Sequence, residues 1–372
     1  MSEAVFNRII SECGRFSKND IRPQALEADL DRDADFVKTI WQKSEALDIP
    51  ALIIPETEGG VGYPEVSGAL VLDVFASECA GTASIFANHF CACTLLPLMD
   101  NGSKKRYSSS LIPGDDGAVR MAAVVFTPEL EQSELVMKEK DGGFLLNGVS
   151  QLVGNAGIAD IFLVFVKEND SEDVTCLLVE SNAPGISFSE DAYLPGLKVN
   201  PFKKIKFDDV HIAPDAILGT RGKAEDMMIA ARHAFRGYIA AMAMGAARSA
   251  YQKAYEYAGG RYQYGKMIIQ HQEIQRMLGN MQMKISIGTA AYTRLFDESK
   301  LNLSFAKPEH SLVKVYCTDS ALEIAIDAVQ IHGGYGYMHE FGLEKIMRDV
   351  KTLQLLAGRN PHHLVEAVAQ KL

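Results

Sequence analysis

The densest run of chemically capable residues lies between Arg261 and Gly336. It opens with Arg261-Tyr-Gln-Tyr-Gly-Lys266, continues to His271-Gln272, and closes with Gln330-Ile-His332-Gly333-Gly334-Tyr-Gly336. A guanidinium can fork two hydrogen bonds to a pyrophosphate, which an ammonium cannot do in the same way. Successive backbone N–H groups at a glycine turn suit a phosphate, and glycine lets a ligand approach the backbone closely. Taken alone, each feature has a plainer use. The glycines serve as the bend of a helix–turn–helix, Arg261 as a cation closing a helix after Gly259-Gly260, and Gln272 and Gln330 as amides on a bundle surface. The second chemistry on offer is proton transfer. An imidazole is a base near neutral pH, and His332, His233, His362 and His363 all lie in or near helical runs of this half. A lone histidine is more often structural.

Three stretches must position these residues. Residues 1–115 read as helical, with an apolar face at Phe36, Ile40, Trp41 and Leu47 and two long apolar runs, Val66–Ala80 and Ala83–Leu96. Trp41, the only tryptophan, reads as core. Residues 116–222 switch to short β-rich runs such as Ile161–Val166, Val174–Val179 and Lys203–Phe207, with turn signals between them, as in a small β-barrel or sandwich. Residues 223–372 return to helix. Ala224–Ala258 carries no proline and many small residues, which permit close helix–helix approach. Met267–Phe296, His310–His332 and Leu343–Leu356 supply three more helices, so a four-helix bundle is expected.

Composition narrows the function. A chain of 372 residues, 47% of them hydrophobic, can bury a large core and suggests two or three structural units. A net charge of −11 disfavours nucleic-acid and anionic-membrane partners, while leaving room for local phosphate sites. The six cysteines lack metal-type spacing, and Cys91-x-Cys93 reads as two buried thiols rather than a redox pair. No secretory signal and no run of membrane-spanning length is seen, so a cytoplasmic setting is expected.

Taken together, R-x-x-(aromatic)-G-K, the following H-Q, and A-V-Q-I-x-G-G-x-G-(aromatic) resemble the acyl-CoA dehydrogenase family. Glu344-Lys345-Ile-Met-Arg348-Asp349 is similar to its E-K-x-x-R-D, and Pro55-Glu-Thr-Glu-Gly-Gly-Val-Gly62 to its P-E-x-x-G-G-x-G. The resemblance spans essentially the whole chain. It implies an N-terminal helical domain, a central β-barrel and a C-terminal four-helix bundle, an α+β multidomain fold, with FAD as cofactor and a CoA thioester as substrate. In such an enzyme a base takes the proton beside the thioester carbonyl and the flavin takes a hydride from the next carbon. By resemblance Arg261 reaches FAD phosphates, usually across a subunit interface. His271, Gln272, Gln330, Gly333 and Gly334 match further FAD contacts, and Arg359 replaces a family threonine near the flavin or its ribose. Thr127 and Ser133 match T-E-P-x-x-G-S-D, which holds the flavin ring and thioester, and Arg236 matches an arginine at the substrate end. The family's usual homotetramer and an electron-transfer flavoprotein, or oxygen, as electron acceptor are implied as well.

The departures fall on the reacting centre. Ala357 occupies the usual Glu position, and Phe235 occupies the alternative one on the long central helix. Neither can accept a proton. Leu152-Val153-Gly154 stands where the family has W-I-[ST] beside the flavin. Loss of a positioned base typically costs ~10²–10⁴-fold. The resemblance and its departures leave three functions open. The first is a flavoenzyme with a relocated base, for which His332 and His362 are candidates, or with a base-independent flavin-site reaction such as elimination. The second is a subunit without a base of its own, paired with a Glu-bearing paralogue. The third is a flavin-free binding protein. No metal site is expected.

Overall fold

A computed structural model of the chain describes residues 3–114, 118–126, 135–140, 142–168, 173–296 and 310–369. Six helices come first: α1 (Glu3–Phe16), α2 (Ala25–Asp31), α3 (Ala34–Glu45), α4 (Glu65–Ala76), α5 (Ala80–Cys93) and α6 (Asn101–Leu111). The Asp33 carboxylate caps α3 by accepting from the N–H groups of Asp35 and Phe36, and Asp100 caps α6 through Ser103 N–H. Every residue of α5 is buried, because it is clasped between the sheet and the C-terminal helices. Trp41 is core: its ring stacks on Phe86 at 5.3 Å and its Nε1–H donates to the Val119 carbonyl at 3.2 Å. All six cysteines are free and buried.

Eight strands form the central sheet: β1 (Ala122–Val125), β2 (Val136–Lys140), β3 (Gly143–Val153), β4 (Ile161–Glu168), β5 (Val174–Glu180), β6 (Ile186–Phe188), β7 (Lys203–Ile212) and β8 (Ile217–Leu218). Their order is β6-β7-β3-β2-β4-β5-β8. β1 lies parallel to the first half of β4, in line with β2, which pairs with its last residues. The apolar run Ile-Phe-Leu-Val-Phe-Val of β4 is buried on both faces. Phe162, Val164 and Val166 point into the sheet's own core with Leu146, Phe207 and Val210, while Ile161, Leu163 and Phe165 join the core under the helices.

The C-terminal part holds α7 (Glu225–Gly260), a two-stranded hairpin of β9 (Tyr262–Gln263) and β10 (Lys266–Met267), then α8 (Gln272–Leu295), α9 (His310–His332), α10 (Leu343–Leu353) and α11 (Asn360–Ala369). The small residues of α7, from Ala240 to Ala247, are buried where it crosses α4, α5 and α9. Two elements differ from the sequence expectation. The helix expected from Met267 begins at Gln272, because Tyr264 and Gly265 adopt positive φ (53° and 82°) and turn the chain into the hairpin instead. α11 has no counterpart in the expectation. Its inward face is Asn360, His363 and Ala367 while Val365 and Val368 are exposed, so it shows no apolar stripe, and Pro361 occupies a first-turn position where proline is tolerated.

The Glu344–Asp349 motif holds the layers together. Lys345 Nζ donates to Asp349 Oδ2 at 2.6 Å, Asp349 Oδ1 accepts from Leu197 N–H at 2.6 Å, and Arg348 Nη2 donates to Asp29 Oδ2 at 2.9 Å. One buried network thus ties α10 to α2 and to the loop before β7. Asp29 and Asp349 are about 1% exposed. Removing one member strands a buried charge, a change that typically costs ~3–5 kcal/mol.

Candidate active site

The end of α7, the hairpin, the start of α8 and the end of α9 enclose a cleft of about 620 Å³. Arg261, His271, Gln330, His332, Gly333 and Gly334 line it, together with Tyr257, Tyr264, Tyr335 and Met338. Local backbone chemistry brings them there. Arg261 leaves α7 in an extended conformation, with its N–H on the Tyr257 carbonyl (2.9 Å), and the hairpin returns so that Ile268 N–H bonds the Arg261 carbonyl (2.8 Å). His271, the residue before α8, has its Nε2 3.3 Å from the Gln263 carbonyl.

The two glycines after α9 differ from the third. A Cβ on Gly336 would lie 2.6 Å from the Val329 carbonyl oxygen, so packing alone demands glycine there. A Cβ on Gly334 would meet nothing within 4 Å, and its φ is not positive. The fold gives Gly334 no reason to be glycine, while a ligand lying against the backbone would.

The Arg261 guanidinium is exposed, 6.0 Å from the Tyr335 ring centre, and among the described residues it forms no ion pair. His332 stacks on Tyr257 at 4.3 Å and bonds the Ala328 carbonyl through Nδ1 at 2.9 Å. Burial holds its imidazole below the usual histidine range, with Lys253 adding to the effect. Cation, amide, open backbone and aromatic faces are what the phosphate and adenine parts of a dinucleotide need, so the residues present fit that half of FAD.

The remaining sequence candidates lie elsewhere. Gln272 opens α8 beside His271 without lining the cleft. Thr127 and Ser133 fall outside the described residues. Arg236, Phe235, Ala357, Arg359 and His362 belong to a second region, where the link 354–359 between α10 and α11 meets α7. Ala357 takes a left-handed conformation, φ +51°. Its carbonyl accepts from His363 Nε2 at 2.9 Å and from Arg236 Nε at 3.4 Å. Arg236, 8% exposed, also donates to Ser311 Oγ at 3.0 Å. Phe235 stacks on Phe126 (6.5 Å), which stacks on Phe165 (6.0 Å), so an aromatic column stands at the alternative base position. His362 is half-buried and lies 3.1 Å from Glu366, and Arg359 is exposed at the entry to α11. His363 is fully buried. Burial first, then Arg236 and Lys314, hold it below the usual range.

Sequence reading missed two contributors. The aromatic walls Tyr257 and Tyr335 carried only the signal of lying one turn from named residues. Lys314 is a fully buried lysine within the apolar period of α9, and that mismatch was the available signal. Gly154 is the third informative point. A Cβ there would lie 2.5 Å from Asn88 Nδ2, so the position has no room for the hydroxyl residue of the resembled pattern.

Known proteins align along this architecture. The chain matches the acyl-CoA dehydrogenase N-terminal domain over residues 7–115, the middle domain over 128–210 and the C-terminal domain over 226–371. An acyl-CoA dehydrogenase of Bacillus subtilis is 28% identical over 351 residues, covering 93% of this chain and 92% of the relative. Butyryl-CoA dehydrogenase from Megasphaera elsdenii shares the fold with a TM-score of 0.88 at 24% identity, over 98% of this chain and 97% of that one. An acyl-CoA dehydrogenase complexed with FAD from Bacillus anthracis superposes with a TM-score of 0.86 at 24% identity, over 100% of this chain and 68% of that one. Three consecutive domain matches in family order, on a fold shared over its full length, make the chain a member of the acyl-CoA dehydrogenase family.

Proposed function

We propose that the chain binds FAD and takes a CoA thioester as substrate. The observation that carries this reading is the cleft, where Arg261, Gln330, Gly333 and Gly334 meet from α7 and α9 across more than sixty positions of sequence. Arg261 binds and orients a pyrophosphate, the open backbone at Gly333-Gly334 lets it approach, and the aromatic walls exclude water from an adenine. When bound, FAD supplies hydride acceptance. Arg236 orients the substrate end, with Thr127 and Ser133 assigned to the flavin ring and thioester by resemblance. Among the candidates for a relocated base, burial lowers His332 and favours its neutral form, while its place in the cleft sets it beside the phosphate and adenine half rather than the thioester. His362 has a carboxylate neighbour in Glu366.

A second reading is favoured by one observation. Both base positions of the family are occupied by groups that hold no proton, Ala357 and Phe235. These are anchored by their own packing and hydrogen bonds rather than left as gaps. On this reading the chain is a subunit that lends its cleft to an FAD site shared with a Glu-bearing paralogue, in a heteromer instead of a homotetramer. Electron-transfer flavoprotein, or oxygen, then reoxidises the flavin. The purified protein decides between them. Yellow protein bleached by an acyl-CoA under anaerobic conditions supports the oxidising enzyme. Yellow protein that bleaches only after mixing with a paralogue supports the subunit. Colourless protein that takes up no added FAD overturns both and leaves a flavin-free binding protein.

A further inference from the structure

Lys314 stands on α9 with no exposed surface. Its ammonium donates to the Gln354 carbonyl (2.9 Å), the Gly358 carbonyl (2.8 Å) and Asn360 Oδ1 (2.7 Å). An ammonium has three N–H donors, and three acceptors at these distances use all of them. Two of the acceptors belong to the link between α10 and α11 and the third, Asn360, opens α11, so the three bracket Ala357. The link is tied a second time to α9. Asn360 Nδ2 donates to Thr318 Oγ1 (2.8 Å) and Asp319 Oδ1 (2.7 Å), and Gln354 Nε2 donates to the same Asp319 oxygen (2.6 Å). On the far side, His363 and Arg236 hold the Ala357 carbonyl.

We propose that Lys314 is a positioning residue. It wraps the 354–360 link around its side chain and so sets the backbone from which residue 357 projects. The consequence for chemistry rests on the reading above, that position 357 corresponds to the base position of the relatives. The wrapping itself does not. It implies that the frame for a base persists in this chain although the base is gone. A left-handed residue whose own carbonyl is bonded twice, and whose neighbour Gly358 gives its carbonyl to Lys314, has little freedom to point elsewhere.

Burial pushes the Lys314 amine down to about 7. Arg236 on α7 adds to the push, and Asp319 on α9 itself opposes it. On α11, His363 is lowered by burial, Arg236 and Lys314 and raised by Glu366. On α10, Lys351 bonds Gln354 Oε1 at 2.8 Å. Opening the link to water returns Lys314 toward its ordinary value of 10.5. Above pH about 7 the closed link therefore holds fewer protons than the open one, and closure strengthens as pH rises. Deprotonation removes one N–H donor, a smaller effect than relief of a buried charge. His363 acts in the same direction but only below its ordinary value of 6.5, so the window above 7 belongs to Lys314.

Hydrogen exchange on the purified full chain tests this. Protection of the 354–359 amides, corrected for intrinsic exchange, is expected to rise by up to about tenfold per pH unit from pH 7 to 9, relative to α5. In Lys314→Met that protection should fall about tenfold or more at pH 7 and lose its rise. Unchanged link protection in a folded Lys314→Met protein overturns the proposal. A flat profile in the unsubstituted chain does so too, and needs no variant that might misfold. The catalytic consequence is read separately. Ala357→Glu should allow acyl-CoA to bleach the flavin, and adding Lys314→Met should cut that rate about tenfold or more at equal flavin content. No bleaching, with link protection still dependent on Lys314, overturns the assignment of position 357 while the wrapping stands.

Discussion

The cleft and the link are built on opposite principles. In the cleft the key groups are left open: an exposed guanidinium without an ion pair among the described residues, a glycine with free space over its Cα, aromatic faces turned to solvent. At the link the buried groups are engaged, with Lys314 saturated and the Ala357 carbonyl bonded twice. The same helices, α7 and α9, supply both. Unsatisfied polar groups at a surface are affordable because water fills them, whereas buried ones must find protein partners. The contrast teaches that ligand binding is written as unfilled valence, and that, on the proposed reading, the position matched to the family's base is sealed while the backbone around it is held in place.

The largest way to break this comparison is to put the carboxylate back. If the sealed link is a base position without its base, Ala357→Glu should raise the rate of anaerobic flavin bleaching by an acyl-CoA ~10²–10⁴-fold. A stopped-flow rate equal to that of the unsubstituted chain would mean the link has no part in the chemistry. Next comes the open side. Arg261→Ala should weaken FAD binding by ~1.5–3 kcal/mol, or about 10–150-fold in Kd, since a charge-assisted bond to phosphate is lost, and Arg261→Lys should recover only part. Flavin fluorescence titration reads both, and an unchanged Kd would return Arg261 to the role of a helix-end cation.

A third substitution probes the flavin face. Gly154→Thr forces a Cβ to within 2.5 Å of Asn88 Nδ2, where Asn88, Asn155, Asn200 and Ser84 form a buried hydrogen-bond network. A destabilisation of ~1–3 kcal/mol is expected from such overpacking, seen as a lower Tm. A neutral result would show that the position has room for the hydroxyl. The smallest effect is in pH. Because Lys314 is depressed from 10.5 to about 7 on folding, the unfolded chain binds more protons between those values. Its contribution should therefore make the folded state more stable as pH rises from 7, with a slope of at most about 1.4 kcal/mol per unit. Comparing urea unfolding of the unsubstituted chain with Lys314→Met at pH 7 and 9 isolates it, and equal slopes would remove the buried charge from the account.

Much of the architecture was legible beforehand because it follows from periodicity. Small residues along α7 announced a buried central helix, and the apolar run of β4 announced a strand. The hairpin after Arg261 was not legible, since Tyr264 gives no sign that it will adopt positive φ. Nor was α11, whose helical state comes from the anchoring of Asn360 on α9 rather than from an apolar stripe.

By its own order of residue types, the sequence determined the succession of helices, sheet and helices, the presence of an arginine and a glycine turn at helix ends, and the absence of a carboxylate at positions 357 and 235. Those are properties of composition and spacing, readable without coordinates. Only the tertiary structure decided that α7 and α9 bring Arg261 and Gly334 to one cleft, that Gly154 is packed too tightly for a hydroxyl, and that Lys314 is wrapped by the link around Ala357. Each of these depends on contacts between residues far apart in the chain, and burial, which decides whether a polar group is open or engaged, exists only once the chain has folded.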